Sequence, residues 1–130
     1  MNFVYITKSR RSLIGDSIEV SASFNKTNGK NNPADFRFSF SETIKSKVFR
    51  NVEYLVAAYD ADCPNRIWFK EDTEDRGFKL FRGKGKGRFI LTPSGLGAIV
   101  DDPTSFVGDY ELLYDPMIKM WYIDRTEKLN

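Results

Sequence analysis

Phe36-Arg37-Phe38-Ser39-Phe40-Ser41 and Gly87-Arg88-Phe89-Ile90-Leu91-Thr92-Pro93 read as two versions of one plan. Each places an arginine before apolar residues at strand spacing, then a hydroxyl residue suited to cap a helix. Beyond Ser41, Glu42 sits where a helix N-terminus favours an anion, and Ile44, Val48 and Phe49 supply an inward face. Residues 52–59 then read as a buried strand, 60–65 as a turn and 66–70 as a returning strand. Beyond Thr92, Pro93 suits the first helical position, and Leu96, Ile99 and Val100 form the apolar face. Residues 110–114 and 118–123 are the second hairpin, with Asp115-Pro116 starting its turn. The match aligns Arg37-Phe38 with Arg88-Phe89, Ser41 with Thr92, Tyr59-Asp60 with Tyr114-Asp115, and Trp68 with Trp121.

Two β-α-β-β units follow from this. Each spans roughly 35 residues, too few to bury its own strand faces, so the two are expected to close one core. The fold class is mostly β with two short helices, beginning near Ser41 and Thr92. The tandem units form a pseudo-two-fold, swapped-hairpin-like barrel. Residues 1–34 supply N-terminal strands (3–7 and 18–24) and a flexible loop of turn-forming residues (25–34), 35–76 the first unit, and 77–130 a basic glycine loop and the second unit, all in one compact domain. A further short strand is expected at 78–81. Phe38, Phe40, Ile44, Val56, Trp68, Phe89, Leu91, Ile99, Leu112 and Trp121 are the expected core.

Composition narrows the function. With 41% hydrophobic and 15% aromatic residues, the chain has the apolar mass for a core without a metal or disulfide. It has no histidine and one cysteine, which excludes Ser-His-Asp and Cys-His catalysis and leaves a zinc site almost without ligands. No spacing of Asp, Glu, Lys or Tyr argues for catalysis, so a binding protein is expected rather than an enzyme, with no cofactor and no metal. Glu71-Asp72-Thr73-Glu74-Asp75 groups four carboxylates, but it lacks the glycine and distal glutamate of an EF-hand loop, and a solvated turn accounts for it more simply. Cys63 has only Arg66 near it in sequence to favour a thiolate, and is expected to be inert. No apolar run approaches the ~20 residues of a bilayer span, and the first residues lack a signal peptide's apolar stretch. The expectation is no membrane contact and a cytoplasmic location.

The second unit resembles the swapped-hairpin domains of AbrB-like and MraZ-like transcription regulators. In that family a strand of the form Gly-Arg-apolar-x-apolar-Pro leads into a short helix and two strands, and two units interlock into one barrel. Gly87, Arg88, Phe89, Leu91 and Pro93 match this form. In the first unit Arg37, Phe38 and Phe40 match, Asp35 and Phe36 precede the arginine, and Glu42 stands at the proline's place. The likeness covers about residues 35–124. It implies a DNA-binding regulator whose basic residues lie on the first strand and the adjoining loops.

The net charge is only +2, so a polyanion site must come from local clustering. Lys79, Arg82, Lys84, Lys86 and Arg88 fall together with no acid among them, interleaved with Gly83, Gly85 and Gly87. Cations and approachable backbone suit phosphate. A solvated hairpin tip with lysines for solubility fits the same residues. With Arg37 from the first unit, these are the expected nucleic-acid contacts. Lys8, Arg10 and Arg11 form a smaller cluster, read as a solvated turn. Trp68, Phe69, Trp121 and Tyr122 suit base stacking in type, but their alternation in apolar strands favours core packing. The leading expectation is a small regulator or accessory protein that binds duplex DNA. The alternative is a protein-interaction module, such as a phage or mobile-element inhibitor of a host protein, with acidic stretches 60–62, 71–75 and 101–102 facing a basic partner.

Overall fold

A computed structural model describes residues 18–25, 34–83 and 87–129. The expected strand at 3–7, the Lys8-Arg10-Arg11 cluster, Lys84 and Lys86 lie outside the described residues, as does most of the loop at 25–34. In chain order the elements are β1 (Val20–Asn25), β2 (Asp35–Phe40), α1 (Glu42–Lys47), β3 (Tyr54–Ala58), β4 (Arg66–Glu71), β5 (Phe78–Lys79), β6 (Phe81–Arg82), β7 (Phe89–Leu91), α2 (Leu96–Ile99), β8 (Gly108–Tyr110), β9 (Leu113–Asp115) and β10 (Met120–Asp124). Single 3-10 turns follow at Pro103–Phe106 and Arg125–Glu127. The chain is thus mostly β with two short helices.

The described strands form two antiparallel sheets, β6-β7-β2-β1-β8 and β5-β3-β4-β10-β9, rather than one closed barrel. The outermost strands are only two or three residues long, too short to carry pairing from one sheet round to the other. The chain passes between sheets at Leu80 and Leu112. Each was expected inside or beside one continuous strand, and each is instead a buried residue that divides two strands, β5 from β6 and β8 from β9. Burying these leucines in the shared core fixes the crossings.

Alternation decides what faces that core. From the first sheet come Val20, Ala22, Phe36, Phe38, Phe40, Leu91 and Tyr110, and from the second Leu55, Ile67, Phe69 and Ile123. The rings of Phe38 and Phe40 meet Phe69 edge-on at 5.0 and 5.3 Å, joining the sheets. Four expected core residues differ. Val56 alternates away from the inward Leu55 and Ala57, and is half-buried, as are Phe89 and Trp121 at the core's margin. Ile99 is 61% exposed, because a one-turn helix buries a single face, here Leu96 and Val100.

The two helix starts also differ. Ser41 caps α1, its Oγ accepting from the Ile44 amide at 3.1 Å. Thr92 does not cap α2. That helix begins at Leu96, and its acceptor comes from across the sheet, where Asp35 receives the amides of Gly95 at 2.7 Å and Gly97 at 3.0 Å. A Cβ on Gly97 would lie 2.9 Å from the Ala34 carbonyl oxygen, so glycine permits this close approach.

The hairpins meet through β4 and β10, with Trp68 directly opposite Tyr122 and Phe69 opposite Trp121. Phe69 and Trp121 face the core, whereas Trp68 and Tyr122 lie on the other face, their rings 4.8 Å apart and tilted at 46°. The two tryptophans therefore lie on opposite faces of the second sheet, one residue out of register with each other.

Candidate nucleic-acid interface

The six expected contact residues do not share one face. Lys79 is exposed on β5, at the edge of the second sheet, opposite Tyr54. Arg82 is exposed on β6, at the edge of the first sheet, and its guanidinium lies 5.7 Å from the Phe89 ring. The chain changes sheets between them. Arg82 pairs with Phe89, and the Gly83 amide donates to the Arg88 carbonyl at 2.8 Å, closing a hairpin whose connection carries Lys84 and Lys86. Gly87 adopts φ +72°, a conformation costly for other residues, and a Cβ there would meet Glu42 Oε2 at 2.8 Å. The Arg82 Nη2 lies 3.2 Å from the same point. An acid from α1 therefore stands beside the basic hairpin, a neighbour distant in sequence.

Arg88 is a structural residue. Its Nε donates to Ser39 Oγ at 2.5 Å, Nη2 to the Ser39 carbonyl at 2.9 Å and Nη1 to the Ile18 carbonyl at 2.9 Å. All three guanidinium nitrogens thus tie β7 to β2 and to Ile18, two residues before β1, bonds that the expected phosphate contact would have to share. Arg37 is exposed on the outward face of β2, with β7 between it and Arg82. Arg37 has no counterpart to the Arg88 bonds among the described residues, so the two arginines sit in different surroundings.

The aromatics that suit base stacking in type also separate. Trp68 is 6% exposed and so closed to a base. Beside it the Arg66 guanidinium lies 4.2 Å from the Tyr122 ring, with Nε donating to Asp124 at 3.3 Å. Burial alone would raise the Asp124 pKa, but bonds from Thr126 and Arg66 outweigh it and hold the carboxyl below its ordinary value. Trp121 instead borders a cavity of about 250 Å³ on the inner face of the second sheet. Phe49, Phe69 and Tyr114 form other walls, and Lys70, Glu71 and Lys119 also line it. The Tyr114 and Trp121 rings are 4.8 Å apart, and Tyr114 is 45% exposed.

In the acidic stretch Asp72 accepts from the Thr73 amide at 2.7 Å and pairs with Arg76 at 3.6 Å. Among the described residues no three acidic or cysteine side chains gather as a metal site, and no helix is long and apolar enough to cross a membrane. No family model, curated protein or solved structure matches the chain.

Proposed function

We propose that the chain binds nucleic acid, duplex DNA in the first place, through the β6–β7 hairpin. The observation that carries this reading is the exposed Arg82 at the foot of a hairpin whose connection holds two lysines and no acid, with Lys79 exposed nearby in the chain on the edge of the other sheet. A duplex presents dense phosphate charge, and cations at a sheet edge reach it without rearranging a core. The pairing of β2 with β7 and of β4 with β10 supports a tandem, interlocked origin. A two-fold through Ser39 and Ile90 exchanges Arg37-Phe38 with Arg88-Phe89. That relation favours the likeness to AbrB-like and MraZ-like regulators, and with it a regulatory role in the cytoplasm. The test is fluorescence anisotropy of a random duplex with the parent and with Lys79→Glu/Arg82→Glu. The parent is expected to bind and the variant to bind at least tenfold more weakly. Equal affinities would remove the hairpin from the interface.

A second reading, a protein-interaction module, is favoured by the tip of the β9–β10 hairpin. Met117 is 91% exposed there and Ile118 47%. Exposed apolar residues side by side suit a protein partner, such as a host factor inhibited by a mobile element's product.

A further inference from the structure

The cavity beside Trp121 opens from the buried Phe49 and Phe69 to the exposed Tyr114 and Lys119, and none of its lining residues belongs to the β6–β7 hairpin. Three exposed cations border it. Lys47 and Arg50 flank Val48 and Phe49, the turn after α1 that forms one wall, while Lys119 belongs to the lining. Lys70 also lines it, but it pairs with the outward Val56 and so carries its ammonium on the opposite face of the sheet. None of the three bordering cations makes an ion pair among the described residues. Aromatic walls bordered by cations are the chemistry that holds a single-stranded nucleic acid, with bases on rings and phosphates on lysines. At about 250 Å³ the space falls below the ~300–1,000 Å³ of sites for drug-sized ligands, and suits one ring system.

Lys119 supplies an independent observation. It adopts φ +57°, the left-handed region that a hairpin of this form ordinarily gives to glycine or asparagine. The turn itself is set by Asp115, whose carboxylate accepts from the Met117 amide at 2.9 Å and whose carbonyl accepts from the Lys119 amide at 2.8 Å. Nothing in that backbone requires a lysine, and the strained position holds a cation at the mouth of the cavity.

We infer that this cavity seats one unpaired nucleobase against Tyr114 and Trp121, with the flanking phosphates on Lys119, Lys47 and Arg50. Glu71 in the lining offers an acceptor for an exocyclic amine, which cytosine has and thymine lacks. The site goes beyond the hairpin reading and stands apart from it, because it takes single strands on different residues.

The test uses the full chain with Trp68→Phe, which leaves Trp121 as the only tryptophan. Its fluorescence is titrated with oligodeoxycytidine and oligothymidine of about ten nucleotides at low salt. Oligodeoxycytidine is expected to quench Trp121 and to bind more tightly than oligothymidine. Tyr114→Ala is expected to weaken it by ~5- to 150-fold, the equivalent of one stacked base. Lys119→Gly is expected to weaken binding severalfold without lowering the melting temperature, because glycine relieves the strained φ. Lys79→Glu/Arg82→Glu is expected to leave the quench in place. The inference is overturned by absent binding, by equal affinity for the two oligonucleotides, or by Tyr114→Ala and Lys119→Gly variants that bind like the parent. It is also overturned if polyglutamate displaces the oligonucleotide at equal charge, which would assign the surface to an acidic protein, or if only the hairpin variant loses affinity.

Discussion

Replacing Arg88 by lysine separates a structural arginine from a phosphate contact. The charge is kept, so a residue acting only as a cation would lose little. The geometry is not kept, since the guanidinium donates to Ser39 Oγ, the Ser39 carbonyl and the Ile18 carbonyl at 2.5, 2.9 and 2.9 Å. An ammonium has no planar fork with which to reach all three acceptors. Hydrogen bonds to a charged group contribute ~1.5–3 kcal/mol each when well sheltered. Arg88 is half-buried, which reduces each bond, and lysine retains one. The expected loss is about 2 kcal/mol, or a melting temperature lowered by about 8 °C for a chain of this length. Urea unfolding followed by tryptophan fluorescence measures the first number, and duplex affinity below the melting range is measured alongside. Ser39→Ala should couple to Arg88→Lys in a double-mutant cycle by ~0.5 kcal/mol or more. A variant as stable as the parent but tenfold weaker on DNA would refute the structural assignment.

Other outcomes follow from the same contacts. Phe69→Ala, which removes a ring touching both Phe38 and Phe40, should cost ~3–5 kcal/mol, whereas Ile99→Ala should stay within ~0.5 kcal/mol, both by urea titration. Asp35→Asn replaces two charged bonds to the α2 amides with weaker ones and should cost ~1 kcal/mol, read as a shift in the urea midpoint with an unchanged m-value. The folded-state pKa of Asp124 is depressed, so its stabilisation is present above the ordinary carboxylate pKa and lost as pH falls through the folded value. Asp124→Asn should flatten the acid limb of a stability-pH curve. Burial raises the Tyr110 pKa, so its contribution holds below the ordinary tyrosine value near 10 and is lost as pH climbs above it. Tyr110→Phe should flatten the alkaline limb of the same curve.

Alternation in the sequence made the β content, the inward Phe36-Phe38-Phe40 row and the Ser41 cap legible, because each depends on neighbours two to four residues apart. What stayed hidden depends on distant partners. Asp35 caps a helix some sixty residues away, so Thr92-Pro93 looked like the start of α2 although the acceptor lies on β2. Arg88 carried the same sequence signal as the other loop cations, and only its contact with Ser39 distinguishes it. The one-residue shift between Trp68 and Trp121 is invisible without the pairing register, since both lie in equally apolar strands. The site beside Trp121 joins a turn after α1 to the edge of the second sheet, and no local pattern brings Val48 to Tyr114. One clue to it was present in the hairpin Asp115-Pro116-Met117-Ile118-Lys119, whose final position is one that turn chemistry reserves for glycine or asparagine.

The central claim is that cations of the β6–β7 hairpin hold phosphate, and the salt dependence of duplex binding tests it most directly. If Lys79, Arg82, Lys84 and Lys86 each neutralise one phosphate, the slope of log affinity against log salt is about −3.6, so affinity falls by ~100-fold between ~0.05 and ~0.2 M salt. Lys84→Glu with Lys86→Glu should bring the slope to about −1.8 or abolish binding altogether, with the urea midpoint unchanged. A parent slope near zero, or a double variant that keeps the parent's slope and affinity, would contradict the account.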